Sequence, residues 1–117
     1  MILAINRKHL TPEIEVLELT GRIVLGSDGM QVEWTVAQLL RAHHKKLIFD
    51  LSGVTLLDST GVGVLVMCHA KVKKAGGILR IAGSTGMVED TLKLTSVDKL
   101  IGSFPTVAEA AQAMELQ

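Results

Sequence analysis

The sequence predicts a single α/β domain in which helices pack against a mixed, mainly parallel β-sheet. The chain has 117 residues, the length of one domain, and 48% of them are apolar, enough for one hydrophobic core. From residue 47 onward, short apolar runs alternate with longer segments of helical periodicity, as is typical of βαβ units. An extra pair of strands precedes these units. We therefore predict one domain over residues 1–117 whose sheet is not wholly parallel.

The N-terminal part predicts two strands joined by a turn. Residues 2–5 form a short apolar start, and Thr-Pro at 11–12 indicates a turn. Residues 13–20 largely alternate polar and apolar side chains, which predicts a strand with one buried face. Gly21 should end this strand. Residues 23–25 could extend it or form an apolar loop.

A first helix is predicted from about residue 30 to residue 43, with Ser27 or Asp28 as its cap. Its apolar stripe, with Trp34 near the edge, comprises Val32, Val36, Leu39 and Leu40.

The central part predicts a strand, a junction and a buried helix. Residues 47–51 are a strand, Ser-Gly at 52–53 forms a turn, and residues 54–57 are a second short apolar piece. A helix should follow over residues 59–75, buried along much of its length. Cys68 lies within it and is predicted to be a small buried residue.

The rest of the chain predicts two strands and two helices. The strands span residues 78–82 and 100–104, and the helices span residues 87–94 and 107–114. Gly102 interrupts the second strand, and Thr106 should cap the last helix.

Composition excludes several classes of function. Acidic and basic residues balance at twelve each, so no strong field favours nucleic acid or an anionic membrane. Aromatic residues make up 3% of the chain, too few for a base-stacking platform. No apolar run reaches the roughly 18 residues of a membrane span, and the N-terminal charges follow the apolar residues, unlike a secretory signal. We predict a cytoplasmic protein that contacts neither nucleic acid nor membrane.

Catalytic and cofactor motifs are largely missing. The surroundings of Ser59 lack the first glycine of a G-x-S-x-G elbow, and Val66 occupies the third glycine position of a dinucleotide fingerprint. The adjacent pair His43-His44 is interpreted as a solvated helix end, since neighbouring helical residues rarely ligate one metal ion. The hydroxyl pair Ser84-Thr85 is interpreted as a helix N-cap. We predict no enzymatic activity, metal or cofactor.

The junction at residues 58–63 (Asp-Ser-Thr-Gly-Val-Gly) is the most informative stretch. Strand formers precede it and a long apolar run follows, as at a strand–loop–helix junction. Ser59 should lie in the first helical turn, where unpaired backbone N–H groups and the helix dipole favour negative charge. From the residues alone two interpretations remain: Asp58 or Ser59 is a structural cap, or Ser59 accepts a phosphate.

The same stretch resembles the phosphorylation-site motif of STAS-domain anti-sigma factor antagonists (anti-anti-sigma factors), whose pattern is D-S-[ST]-G. Four more segments resemble the family, at residues 19–23, 46–52, 76–82 and 104–110. The resemblance covers nearly the whole chain and therefore implies the STAS fold.

The resemblance also implies a role in partner switching. The unmodified protein would bind an anti-sigma factor that is also a serine kinase, and so free a sigma factor for transcription. The kinase would phosphorylate Ser59 and end the complex, and a phosphatase would reset the switch. The chain itself would not be an enzyme. The implied partner-binding residues are Asp58, Ser59, Thr60 and Gly61 at the junction, and Gly21, Arg22, Ile23 and Val24 beside it.

Residues 22–27 depart from the family pattern, which is acidic or polar there, because they are basic, then apolar, then small. This departure suggests a different partner or an apolar patch used for homodimerisation. A second interpretation keeps the STAS domain without phosphorylation, as a scaffold or an accessory subunit of a larger assembly such as a lipid-transport complex. A third, a nucleotide sensor at the Gly61–Gly63 turn, is disfavoured by the missing fingerprint.

Overall fold

The computed structural model describes residues 2–115 and contains five strands and four α-helices within that range. The strands are β1 (Ala4–His9), β2 (Ile14–Ile23), β3 (Lys46–Leu57), β4 (Ile78–Ala82) and β5 (Ser103–Phe104). The helices are α1 (Gly29–Arg41), α2 (Ser59–Lys74), α3 (Gly86–Leu94) and α4 (Val107–Glu115), and a π-helical turn spans Asp98–Gly102. The predicted domain range also includes residues 1, 116 and 117, which lie outside the described residues.

The strands form one sheet in the order β1-β2-β3-β4-β5. The strands β1 and β2 form an antiparallel hairpin, and every other neighbouring pair is parallel. The predicted α/β class with a mixed, mainly parallel sheet is therefore confirmed. The carboxyl ends of β2, β3 and β4 lie at the same edge, so the loops that follow these strands come together there.

Helices cover both faces of the sheet. Side chains of α1, α2 and α3 pack on one face in the larger core, which includes Leu17, Leu19 and Phe49. Helix α4 packs on the other face, against Ile14 and Val16. The prediction that residues 13–20 have one buried face is therefore wrong, since consecutive residues of β2 are buried on opposite faces.

Gly21 does not end β2, contrary to the prediction. Its φ of +100° is accommodated at an irregularity in the pairing with β3, and the strand continues to Ile23. A Cβ at Gly21 would lie 2.6 Å from the Ile2 carbonyl oxygen, so the close approach of the segment before β1 also requires glycine. The extension carries the chain to the edge of the sheet where β3 ends.

The predicted turn at residues 52–53 is also absent, and β3 runs without a break over 12 residues. Gly53 pairs with Thr20 of β2, and a Cβ there would lie 2.6 Å from the Thr20 side chain. Glycine thus serves a close approach between strands at this position. Because β3 extends as far as Leu57, Asp58 is the single residue between the strand and the start of α2.

Three further predictions need correction. The first strand is Ala4–His9 rather than residues 2–5, because it pairs with β2 as far as Glu15. Helix α1 ends at Arg41 rather than residue 43: His43 has a φ of +67°, and the N–H of His44 donates to the Leu39 carbonyl, which closes the helix. Residues 100–102 belong to the π-helical turn and not to a strand.

The remaining helices and strand β4 agree with the predictions within one or two residues. The N–H of Glu109 donates to the Thr106 hydroxyl at 3.1 Å, so Thr106 caps α4 as predicted. Cys68 is buried, and burial raises the pKa of its thiol to about 12, which leaves it unreactive. The prediction of a solvated histidine pair is confirmed for exposed His43 and wrong for His44, which is half-buried and lies 3.7 Å from the Glu15 carboxylate.

Candidate functional site

The candidate site lies at the edge where β2 and β3 end side by side. Ile23 pairs with Leu57, and these are the last residues of the two strands. The loop after β2 (residues 24–28) therefore lies beside the junction after β3. Strand pairing brings together two segments that are about thirty residues apart in the sequence.

Asp58 connects the loop to the start of α2. One carboxylate oxygen accepts the N–H of Gly61 at 2.9 Å and caps the helix, and the other accepts the N–H of Leu25 at 2.9 Å. The N–H of Asp58 donates to the Ile23 carbonyl at 3.4 Å. Asp58 is therefore a structural cap, as one interpretation proposed, and it also fixes the neighbouring loop. The Leu25 contact was not predicted, because no sequence signal couples residues 25 and 58.

These hydrogen bonds keep Asp58 charged. Donation by the Leu25 N–H, then by the Gly61 N–H, holds the pKa of the Asp58 carboxyl below its usual value. A fixed negative charge therefore lies directly beside Ser59 at neutral pH.

Hydrogen bonds within the loop also join its two ends. The Ser27 hydroxyl accepts the N–H of Val24 at 3.0 Å and donates to the Val24 carbonyl at 2.7 Å. Ser27 therefore stabilises the loop and does not cap α1. Asp28 occupies the N-cap position of α1 without a side-chain hydrogen bond, so neither predicted cap forms. The loop can thus present Leu25 and Gly26 in one conformation.

Ser59 and Thr60 are exposed in the first turn of α2. Within residues 2–115 no hydrogen bond engages either hydroxyl, so the structure does not use Ser59 as a cap. A free hydroxyl at a helix N-terminus is sterically accessible to a second protein. The backbone N–H groups of the first turn can also accommodate an added negative charge.

Of the other residues implied in partner binding, some are accessible to solvent and some are buried. Arg22 is exposed and Val24 is half-buried, so both can contact a partner. Gly21, Ile23 and Gly61 are buried. A Cβ on Gly61 would overlap the Ile23 carbonyl, and therefore this glycine allows α2 to approach β2 closely. The buried residues support this surface but are not themselves accessible to a partner.

The sequence interpretation missed an exposed apolar face on α1 and α2. Met30 and Trp34, four residues apart on α1, are exposed, Trp34 by 64%, and Leu25 and Met67 are exposed as well. The two helices lie side by side, since Lys71 pairs with Glu33 at 3.7 Å. The available signal was the spacing of Met30 and Trp34, four residues apart, with Trp34 at the edge of the predicted stripe. We call Leu25, Met30, Trp34 and Met67 the apolar face.

The described residues contain neither a membrane-crossing helix nor a cluster of metal ligands. No helix between residues 2 and 115 combines the length and apolarity that a membrane crossing requires. In the same range no three His, Cys, Asp or Glu side chains are grouped so that they could hold a metal ion.

The fold and the site define a class of protein: a small α/β domain that exposes a free hydroxyl beside a hydrogen-bonded carboxylate and carries exposed apolar side chains on α1 and α2. The STAS domain model matches residues 7–110, and the chain belongs to that family. The family resemblance seen in the sequence is thereby confirmed.

Relatives and solved structures agree with this assignment. A Thermotoga maritima protein, provisionally named an anti-sigma factor antagonist, is 28% identical over 80 residues, which are 68% of this chain and 71% of the relative. A T. maritima crystal structure with the same provisional name has a TM-score of 0.85 at 22% identity and covers 95% of this chain and 94% of its own. An anti-sigma factor antagonist from Mycobacterium paratuberculosis has a TM-score of 0.84 at 21% identity, with 97% and 94% covered.

The Asp58 carboxylate accepts hydrogen bonds from the N–H groups of Leu25 and Gly61, and we call this pair of contacts the Asp58 clamp. It predicts that the stability of the domain depends on pH. A carboxyl whose pKa is lowered by folding stabilises the native state above its unfolded pKa of about 3.9 and loses that contribution as the pH falls through the folded value. Asp58→Asn should therefore melt at a lower temperature than the parent at pH 7, and the gap should close below about pH 4. Thermal unfolding of both proteins from pH 7 to pH 2.5 measures this difference in melting temperature.

Comparing Asp58→Asn with the parent cancels the pH dependence of the melting temperature that the other carboxylates contribute. Glu18, whose pKa is also lowered, chiefly by hydrogen bonds from Asn6 and Lys8, titrates equally in both proteins. A melting gap that stays constant over the whole pH range would contradict the clamp.

Proposed function

We propose that this protein is an anti-sigma factor antagonist that acts by partner switching and is inactivated by phosphorylation at Ser59. In its unmodified form it binds an anti-sigma factor that is also a serine kinase, and it thereby frees a sigma factor for transcription. The observation that carries this proposal is the free, exposed Ser59 hydroxyl beside the fixed Asp58 carboxylate in the first turn of α2.

The geometry supports Ser59 as an acceptor of a group and not as a nucleophile of the chain's own reaction. A serine nucleophile needs an adjacent base, yet no described histidine or carboxylate forms a hydrogen bond with the Ser59 hydroxyl. Asp58 directs both of its carboxylate oxygens to backbone N–H groups, so it is fully engaged in structure. In the proposed switch the anti-sigma kinase therefore transfers the γ-phosphoryl group of ATP to the Ser59 hydroxyl and releases ADP, and a separate phosphatase removes it.

The partner would cover Ser59, Thr60, Arg22 and the apolar face. Tryptophan is among the residues that contribute most to protein–protein binding, because it buries a large area with little loss of conformational freedom. Trp34 is the one tryptophan in the chain, and its exposure makes it the best candidate for an anchor. The clamp by Asp58 holds Leu25 in position next to this surface.

Mass spectrometry of the kinase reaction tests the proposal. The protein is incubated with its cognate anti-sigma kinase, ATP and Mg²⁺, and the peptide that contains residues 58–62 is analysed. Phosphate is expected on Ser59 in the parent and in Thr60→Ala, and should be absent from Ser59→Ala. Phosphate found only elsewhere, or none with a kinase that forms a complex with the chain, would favour a STAS scaffold or accessory subunit instead.

The apolar face carries a separate prediction. Trp34→Ala should weaken binding of the anti-sigma factor at least about tenfold, as expected for a truncated anchor residue, while the melting temperature changes little because the side chain is largely exposed. Titration calorimetry measures the affinity. Gln112→Ala, an exposed change on α4 at the other face of the sheet, is the control and should bind normally. Unchanged affinity of Trp34→Ala would place the interface elsewhere.

A further inference from the structure

A second candidate site lies at the carboxyl ends of β4 and β5, outside the surface proposed to bind the anti-sigma factor. It is a cavity of about 340 Å³ between the start of α3, the π-helical turn and the residues that follow β5. Its size falls within the range typical of small-molecule sites. None of the residues that line it belongs to the junction or to the apolar face, so it requires its own explanation.

One end of the cavity offers unpaired hydrogen-bond donors. Ser84 lines the cavity and is only 9% exposed, yet its hydroxyl has no hydrogen-bond partner in the described part of the chain. Thr85 occupies the N-cap position of α3 but makes no capping hydrogen bond, so the predicted N-cap at Ser84-Thr85 does not form. The first N–H groups of α3, from Gly86 to Val88, therefore lack an acceptor. Because the Ser84 hydroxyl faces the cavity without a partner from the described residues, it is open to hydrogen bonding by a ligand or water.

The charged groups in the lining exclude a simple anion. Glu89 and Asp98 both line the cavity, whereas its one lysine, Lys93, is already paired with Glu89 at 2.9 Å. That hydrogen bond raises the pKa of Lys93, as expected for an ammonium group that already has a carboxylate partner. Because Lys93 and Glu89 neutralise each other, an inorganic anion at the α3 donors would face the Asp98 carboxylate, which forms no ion pair within residues 2–115, with no free ammonium group in the lining. A ligand that carries both a carboxylate and an ammonium group satisfies both ends.

The remaining lining is apolar. Half-buried Phe104 and exposed Pro105 form the accessible apolar part of the wall, whereas Leu92 is fully buried in the core. A ligand with a hydrocarbon group bound there would remove apolar surface from water. The cavity thus combines donors for a carboxylate, acids for an ammonium group and an apolar wall for a side chain.

We propose that this cavity binds a small zwitterionic amino acid with an apolar side chain, of the size of leucine. Its carboxylate accepts hydrogen bonds from the α3 N–H groups and the Ser84 hydroxyl, its ammonium group faces Asp98, and its side chain packs on Phe104. The proposal is independent of phosphorylation at Ser59, because the two sites share no residue.

Chemical-shift titration of the full ¹⁵N-labelled chain tests the proposal with three matched probes. The probes are L-leucine, 4-methylpentanoate, which lacks the amino group, and 3-methylbutylamine, which lacks the carboxylate. L-leucine is expected to shift the amide resonances of Gly86 to Val88 saturably, and each partial probe should bind at least about tenfold more weakly, since each leaves one set of charged contacts unmade. Inorganic phosphate should not compete with L-leucine.

Two conservative variants test the assigned contacts. Ser84→Ala and Asp98→Asn should each weaken L-leucine binding about tenfold, and Gln112→Ala should leave it unchanged. Amide spectra that overlay the parent outside the cavity show that the variants fold. Three results would overturn the proposal: no saturable shift with L-leucine, equal binding of 4-methylpentanoate, or normal binding by folded Ser84→Ala and Asp98→Asn.

Discussion

Ser59→Glu should bind the anti-sigma factor at least about a hundredfold more weakly than the parent, whereas Ser59→Ala should bind normally. A phosphate at Ser59 adds about 1.5 to 2 negative charges, and glutamate supplies one of them. That charge lies next to the Asp58 carboxylate, which is already ionised. One unfavourable contact with a partner carboxylate at about 4 Å costs roughly 4 kcal/mol at an effective dielectric of 20, and each 1.4 kcal/mol is about tenfold in affinity.

The domain itself should tolerate the change. Ser59 is exposed, and a negative charge in the first turn of a helix interacts favourably with the helix dipole. Titration calorimetry against the cognate anti-sigma factor therefore compares folded proteins, as circular dichroism can verify. Gln112→Glu is the matched control, since it adds the same charge on the exposed side of α4, at the other face of the sheet. If Ser59→Glu and Ser59→Ala bind with equal affinity, charge at Ser59 is not the switch.

The fold could be predicted because each local pattern agreed with the global arrangement. Apolar runs and helical periodicity placed β4, α2 and α4 correctly, and the alternation of strands and helices predicted the mixed, mainly parallel sheet. The failures occurred where the tertiary environment decided the local conformation. Gly21 and Gly53, which ordinarily indicate breaks, lie within long strands because the segment before β1 approaches Gly21 and strand β2 approaches Gly53 closely.

The site could be predicted only in part. The Asp-Ser-Thr-Gly pattern located Ser59 and suggested a capping role for Asp58, because a cap is a local interaction between residues three apart. The clamp from Asp58 to Leu25 joins residues 33 apart and depends on the pairing of Ile23 with Leu57. The cavity at Ser84 likewise arises from α3, the π-helical turn and β5 together. Contacts of this kind follow from the sheet and have no signature in the sequence.

Gly61→Ala should destabilise the domain strongly, whereas Gly63→Ala, two residues further along the same helix, should not. A Cβ on Gly61 would overlap the Ile23 carbonyl and lie 2.5 Å from the Leu57 side chain. The carbonyl belongs to β2 and cannot rotate away, so α2 has to shift. Overpacking of this kind costs about 3 kcal/mol or more, equivalent to a fall in melting temperature of at least about 12 °C for a domain of this size.

Gly63 provides the comparison within the chain. A Cβ there meets no atom within 4 Å, and alanine is about 1 kcal/mol more favourable than glycine inside a helix. Gly63→Ala should therefore raise the melting temperature, and thermal unfolding of both variants by circular dichroism measures the contrast. Similar melting temperatures for the two variants would show that the contact between α2 and β2 is not close. Gly61 therefore does more than end the Asp-Ser-Thr-Gly pattern, because it allows the close approach of α2 to β2 across which Asp58 holds the loop.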